Sequence, residues 1–148
     1  GRAGRKNERG KVLIQAVNVQ HPVIKMVQQH DYRQFYAYEM TTRKEFFYPP
    51  FSRIVMLTLK HRDKETVQLG AHKLAASIRQ DLKEFVIGPA APVVGRLRSQ
   101  YLMEIMLKLP KEPGMSIRYK KVIRNHINLV LSEKQFKSIT IIADVDPV

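Results

Sequence analysis

The spacing of apolar and polar residues in the first third of the chain predicts a short strand followed by two helices. Residues 12–16, Val-Leu-Ile-Gln-Ala, form an apolar, β-branched run typical of a buried strand. Pro22 predicts a helix start, because proline is tolerated in a first helical turn. A second helix is predicted over residues 32–46. It ends before the double proline at 49–50, which cannot continue a helix, so we expect a module boundary just before Tyr48.

The rest of the chain alternates between strand-like and helix-like periods. The run at 52–60 is apolar at successive positions and predicts a central strand. Asp63 is expected to cap the helix that follows. The further predicted elements are that helix to about residue 83, an apolar run at 85–89, a strand at 92–98 joined by a turn at Ser99-Gln100 to a half-buried strand at 102–109, a helix at about 116–131 and a strand at 138–144. This order predicts an α+β fold, a two-layer sandwich with a mixed, mostly antiparallel sheet and its helices on one face.

Composition adds a strong positive charge to this folded domain. The chain has 148 residues, with 26 Lys plus Arg against 13 Asp plus Glu, and 44% of its residues are hydrophobic. That apolar content excludes a wholly disordered basic tail, and the net charge of +13 favours polyanions, nucleic acid first, as partners. The absence of cysteine excludes disulfides, Cys-ligated zinc and thiol nucleophiles in this chain. The apolar runs are too short to span a membrane, so a cytoplasmic protein without a membrane partner is expected.

A first basic cluster lies on the predicted strand pair near residue 100. Arg96 and Arg98 are two residues apart, so on a strand both would point to one face, and the hairpin is expected to bring Tyr101 and Lys108 within reach. Guanidinium groups beside an aromatic ring suit a phosphate backbone and a stacked base, as in single-strand or junction binding. The alternative is a solvated sheet edge on which positive charge prevents the addition of another strand.

A second basic cluster lies on the predicted last helix and contains Arg118, Lys120, Lys121 and Arg124. This cluster could hold phosphate or an acidic peptide, with the amide groups of the first turn as additional donors. The alternative is an ordinary solvated helix surface.

Other residues argue against an independent active site. The five histidines have no metal-ligand spacing, and no glycine-rich phosphate loop of the GxxxxGK[ST] type occurs. Surface or turn roles are expected for these residues, and Asp144 and Asp146 could cap a neighbouring helix or pair with an arginine. Arg2 and Arg5, three positions apart among glycines, have the spacing needed to reach two oxygens of a transferring γ-phosphoryl group.

Five segments, in order, resemble the C-terminal part of the PriA family of bacterial primosomal proteins, and together they span essentially the whole chain. The opening Gly1-Arg2-Ala3-Gly4-Arg5 is similar to the end of the last conserved motif of superfamily 2 helicases. The other matching segments are Val12-Leu13-Ile14-Gln15 with His21-Pro22, Tyr48-Pro49-Pro50-Phe51, Gly88-Pro89 with Pro92, Arg96, Arg98 and Tyr101, and Asp144-Val145-Asp146-Pro147.

The resemblance implies a role and a division of the chain. Members of the family are DNA-dependent ATPases and 3′ to 5′ helicases that restart stalled replication forks. Residues 1–47 would then be the end of the second helicase lobe, and residues 48–148 a C-terminal domain that binds branched and single-stranded DNA, with a fold similar to a ribosomal protein. Without the rest of that lobe the strand at 12–16 would lose its neighbouring strands, so we expect it to fray or to pair with another copy. The implied location is the bacterial cytoplasm, in association with the nucleoid.

The resemblance also implies cofactors and partners. Arg2 and Arg5 would contact the γ-phosphate of ATP, bound with Mg in the full-length protein, while zinc would belong to an upstream module. The implied protein partners are other primosome proteins and single-stranded DNA-binding protein, whose acidic tail would meet the last helix at Arg118 and Lys120. This fragment alone is expected to be catalytically silent and without cofactors. Two alternatives stay open: a module that only binds acidic tails, and a ribosomal-type RNA-binding domain.

Overall fold

The computed structural model describes residues 12–147, apart from the side chain of Met115. The chain divides into two compact units, residues 1–42 and 43–148. This division falls close to, though not at, the boundary before Tyr48 that the double proline predicts. None of the described helices is long and apolar enough to cross a membrane.

The first unit contains the two helices that the sequence predicts. Helix α1 is Pro22–Gln28, with Pro22 in its first turn and Met26 buried. Helix α2 is Tyr32–Glu45, and its end also contributes to the second unit. The strand that the composition of residues 12–16 predicts is not formed in this chain, because these residues adopt no regular structure and Leu13 is 95% exposed. A strand needs a neighbour for its backbone hydrogen bonds, and the described part of the chain places none beside this segment.

The second unit is an antiparallel sheet with two long helices. Its elements are β1 (Ser52–His61), α3 (Lys64–Leu82), β2 (Val86–Ala90), β3 (Arg96–Leu97), β4 (Gln100–Pro110), α4 (Met115–Leu131) and β5 (Thr140–Val145). The order along the sheet is β2-β4-β1-β5, with the short β3 paired to β4 at one end. The central position predicted for the first strand is confirmed, since β1 pairs with both β4 and β5.

The hydrophobic core lies on one face of the sheet, as the α+β prediction requires. Alternate residues of β1, Val55, Leu57 and Leu59, are buried, while their neighbours along the strand are only partly covered. Both α3 and α4 pack on that face, so the sandwich has two layers. The buried helix residues include Val67, Ala71, Leu74, Ala75, Ile78, Tyr119, Ile123 and Val130.

Two acidic residues fix element ends in this unit. Asp63 caps α3 by accepting hydrogen bonds from the backbone N–H and the hydroxyl of Thr66, at 2.7 and 2.6 Å. Asp146 follows β5 and accepts from the backbone N–H of Ile54 at 3.0 Å, while its other carboxylate oxygen lies 3.3 Å from Nε of Arg53. The helix cap at Asp63 is therefore confirmed, and of the two terminal aspartates Asp146 has the arginine partner. The end of β5 is therefore attached to β1 by an ion pair between Arg53 and Asp146 as well as by hydrogen bonds with the backbone of Ile54.

Candidate nucleic-acid interface

The hairpin between β3 and β4 turns one residue earlier than the sequence indicates. Arg96 pairs with Tyr101 and Leu97 with Gln100, which leaves Arg98 and Ser99 as a two-residue turn. Both turn residues have positive φ, 48° and 64°, the requirement of a type I′ hairpin turn. The prediction that Arg96 and Arg98 lie on one strand face is therefore wrong. Arg98 instead projects from the tip of the hairpin, where it is exposed.

Arg96 and Tyr101 form the contact that the sequence predicts. They are opposite each other in the strand pair, so their side chains share a face, and the guanidinium carbon of Arg96 lies 5.0 Å from the centroid of the Tyr101 ring. Tyr101 is partly buried and packs against the core, which fixes the ring, whereas Arg96 is exposed. The pair is a cation stacked on a ring that the core holds in place.

Lys108 does not belong to this site. It lies seven residues beyond Tyr101 on β4, roughly 23 Å away at about 3.3 Å per residue, and on the opposite face of the sheet. Its Nζ lies 3.6 Å from the centroid of the Tyr48 ring and donates a hydrogen bond to the Phe46 carbonyl oxygen at 3.0 Å. The expectation that the hairpin brings Lys108 near Tyr101 is wrong because the strand extends away from the turn.

Other cations lie at the end of the sheet that carries the hairpin. The pairing of His61 with Tyr101 brings the end of β1 and the start of α3 beside the hairpin. The cations at this end of the sheet, named the hairpin-end cluster, are Lys60, Arg62, Lys64, Arg96 and Arg98, of which Lys60 lies on the sheet face opposite to Tyr101. None of them forms an ion pair with a carboxylate in the part of the chain that the structure describes. Sequence reasoning missed the first three, although the predicted pairing of two long strands was a signal that could have found them.

A groove under α4 separates the second basic cluster into two pairs. It has a volume of about 780 Å³ and is bordered by β1, the segment after β4, the start of α4 and β5. Lys120 and Arg124 line this groove, whereas Arg118 and Lys121 do not. The other lining residues include apolar Val55, Leu109, Tyr119, Ile123, Ile127 and Val145, together with Lys111 and Glu112. The arrangement can hold an apolar group with negative charge beside it.

A Ser–His–Asp arrangement joins the two long helices. His126 on α4 lies with Nδ1 2.7 Å from Oγ of Ser77 and Nε2 2.7 Å from Oδ2 of Asp81, both on α3. None of these residues lines the α4 groove, and Ser77 is within a helix rather than on an exposed turn. The contact therefore stabilises the packing of α4 on α3. Among residues 12–147 no group of three or more His, Asp or Glu residues is arranged to hold a metal ion.

Comparison with known proteins matches this chain to a family that the resemblance had indicated. The family model described as the primosomal protein N C-terminal domain matches residues 44–148. The chain belongs to the PriA family. The match begins at residue 44. The segment 46–48, whose Phe46 carbonyl oxygen accepts the hydrogen bond from Lys108, therefore lies within the family domain.

PriA proteins from several bacteria are similar over most of this chain. The replication restart protein PriA of Bacillus subtilis is 31% identical over 99% of this chain. The replication restart protein PriA of Treponema pallidum is 31% identical over 100% of this chain. The Synechocystis protein is 33% identical over 74% of the chain. The matched regions are 18%, 22% and 14% of those proteins. The chain thus spans about a fifth of the length of its PriA relatives. Arg2 and Arg5, the predicted γ-phosphate contacts, lie outside the described residues.

Proposed function

We propose that this chain is the DNA-binding C-terminal part of a 3′ to 5′ replication-restart helicase and that it recognises branched DNA. The observation that carries the proposal is the hairpin-end cluster: Arg96 is stacked on Tyr101, and four further cations lie at the same end of the sheet, none of the five paired with a carboxylate in the described part of the chain. Cations of this kind bind phosphates, and the exposed edge of a stacked ring suits an unpaired base at a junction. Membership of the PriA family supports the same role.

The catalytic activity in this proposal belongs to the full-length protein. Arg2 and Arg5 would contact the γ-phosphate of ATP, with Mg, across the helicase lobes, and zinc would be held by an upstream module. Residues 1–47 would complete the second lobe, and residues 48–148 would form the DNA-binding domain. The other primosome proteins would meet the assembled protein rather than the hairpin-end cluster alone.

Salt-dependent titration tests the proposal. Fluorescent forked, single-stranded and duplex DNA are titrated with the chain at several salt concentrations, because each phosphate contact lowers the logarithm of affinity by about 0.7–0.9 per tenfold rise in salt. The expected result is that the fork binds more tightly than the duplex. The slope of log affinity against log salt should correspond to about three or more phosphate contacts. The double variant Arg62→Ala/Arg98→Ala should reduce the salt slope by the amount that about two phosphate contacts contribute. Absent binding at low salt, or equal binding of a matched RNA duplex, would contradict the proposal.

A second candidate function is supported by the α4 groove. An apolar floor with Lys111, Lys120 and Arg124 at its border suits an acidic peptide that ends in an apolar residue, and this fits the proposed capture of the tail of single-stranded DNA-binding protein. The groove also borders Gly114 and Ser116 at the start of α4. The buried apolar area would supply affinity, and the cations would supply specificity for an acidic sequence.

Two matched charge reversals on one helix separate this binding from general attraction. The double variant Lys120→Glu/Arg124→Glu reverses the cations that line the groove, and Arg118→Glu/Lys121→Glu reverses two that do not. Binding of an acidic synthetic peptide should be lost in the first and weakened only a few-fold in the second. Equal losses would assign the effect to overall charge. Fork binding is measured in parallel, since its survival in both variants would show that the two functions use different surfaces.

A further inference from the structure

A second cavity opens beside the hairpin-end cluster. It lies between the first turns of α3 and the β3–β4 hairpin and has a volume of about 350 Å³, near the lower end of the range for small-ligand sites, roughly 300–1,000 Å³. Its walls are Lys64, Val67, Gln68, Ala91, Gly95, Arg96, Tyr101, Leu102 and Met103. The cavity is therefore built from elements that the core fixes on one side and from the hairpin loop on the other.

The lining has the chemistry that a nucleobase needs. Val67 and Met103 are buried and give an apolar floor, while the planar guanidinium of Arg96, held on the Tyr101 ring, gives a flat surface on which a base can stack beside the exposed edge of that ring. Gln68 supplies an amide, which can both donate to and accept from a base edge. Lys64 adds a cation at the border, where a phosphate next to the base would lie.

The loop beside the cavity exposes apolar side chains that the fold does not use. Val93 and Val94 are 107% and 60% exposed, and they lie between the cavity-lining residues Ala91 and Gly95. Apolar side chains left in solvent beside a cationic site are typical of contact with bases, which have apolar faces, rather than of contact with phosphates. The loop thus extends the stacking surface out of the cavity.

We propose that this cavity takes one unpaired base of a single-stranded DNA arm, with Lys64 and Arg98 on the neighbouring phosphates. The inference rests on the proposed DNA-binding function and adds to it a base-binding pocket. A site of this kind would distinguish an arm with free bases from a duplex, in which the bases are paired and stacked. The hairpin would then read the single-stranded side of a junction.

Forked DNA with and without bases in its single-stranded arm tests the proposal. The 148-residue chain is titrated with a fork whose arm carries normal nucleotides and with one whose arm is abasic, so that phosphates are equal and only bases differ. The normal arm should bind about 5- to 150-fold more tightly, the range that one stacked base contributes. Tyr101→Ala should remove most of this preference, and Tyr101→Phe should keep it. Lys64→Ala should weaken both arms equally and reduce the salt slope.

A second variant covers the case in which loss of the partly buried Tyr101 disturbs the fold. Gln68→Trp, at an exposed position on α3, fills the cavity without removing a core residue, and it should abolish the preference for the normal arm. Equal binding of normal and abasic arms by the unaltered chain would overturn the pocket while leaving phosphate-based DNA binding intact. A preference that survives Gln68→Trp would also overturn it. Absence of salt-dependent binding to either arm would reject the proposed function itself.

Discussion

Lys108 stacks its ammonium group over the ring of Tyr48, with 3.6 Å between Nζ and the ring centroid. The same Nζ donates to the carbonyl oxygen of Phe46, and the hydroxyl of Ser52 donates to the carbonyl oxygen of Phe47 at 2.8 Å. These contacts attach the segment before β1 to the sheet. The hydrogen bond and the π contact engage Lys108 within the fold, so we expect its role to be structural rather than phosphate binding.

Replacing Lys108 by methionine should therefore reduce stability and leave DNA binding unchanged. The substitution keeps the apolar stem and removes both contacts, at a cost of about 1–2 kcal/mol in the free energy of unfolding by denaturant. Lys60→Met is the matched control, because Lys60 is also a partly exposed strand lysine but belongs to the hairpin-end cluster. It should leave stability almost unchanged and reduce the salt slope of fork binding. A reduced slope in Lys108→Met would return Lys108 to the DNA interface.

The residues of the hairpin turn should contribute to DNA binding and reduce the stability of the fold. Arg98 and Ser99 both have positive φ, where Asn-Gly is the preferred pair and a larger side chain costs about 1 kcal/mol. The double variant Arg98→Asn/Ser99→Gly should therefore raise the melting temperature and weaken fork binding, because it improves the turn and removes a cation. Ser99→Gly alone should raise the melting temperature and keep the affinity. Unchanged fork binding in the double variant would exclude Arg98 from the interface.

The backbone conformation at position 88 should require glycine, whereas the conformation at position 95 should accept alanine. Gly88 has φ of 95°, and a Cβ there would lie 3.0 Å from the carbonyl oxygen of Glu104 on the neighbouring strand. Gly88→Ala should cost about 1–3 kcal/mol in the free energy of unfolding. The matched Gly95→Ala has no positive φ, and its nearest atom is 3.7 Å away, so stability should be unchanged or slightly higher. The β2–β4 pairing shifts its register between Ile87 and Ala90, around Gly88, and equal stabilities of the two variants would contradict this role of the Gly88 backbone.

Long periodic segments could be predicted from the sequence, whereas local pairing could not. The helix α3 combines a capping aspartate with an uninterrupted apolar face, and such signals act within one element. The strand predicted at 12–16 has the right composition, but a strand is decided by its neighbours, which composition does not specify. The turn at Arg98-Ser99 was misplaced because neither residue is a usual type I′ residue, and the shift by one position moved Arg98 off the strand.

The candidate sites show the same limit. The contact between Arg96 and Tyr101 follows from a short hairpin, so it could be predicted. Lys64 joins them only because β1 and β4 are in a particular register, with His61 opposite Tyr101. Arg118 and Lys120 lie about 200° apart on a helical projection, so the helix period separates them, but only the position of α4 over the sheet shows which of the two lines the groove. Register and helix placement are tertiary properties, so a list of basic residues could not separate these roles.

The Asp63 cap should make part of the stability depend on pH below about 4. Hydrogen bonds from the Thr66 hydroxyl and from the Thr66 backbone N–H hold the pKa of Asp63 below its ordinary value of 3.8. A lowered pKa means that the folded state favours the ionised carboxylate. The contribution is therefore complete above the pKa of the unfolded chain and is lost as the pH falls through the lower pKa of the folded one.

Asp63→Asn tests this linkage, because asparagine still caps a helix but does not titrate in this range. Between pH 6 and 5 the variant should have the lower melting temperature by a constant amount, and the difference should shrink as the pH falls from about 4 to 2. Glu133→Gln offers a parallel case, since the hydrogen bond from Lys73 lowers the pKa of Glu133. Its difference from the unaltered chain should shrink in the same direction. A difference at Asp63 that stays constant down to pH 2 would show that the cap acts through shape and not through charge.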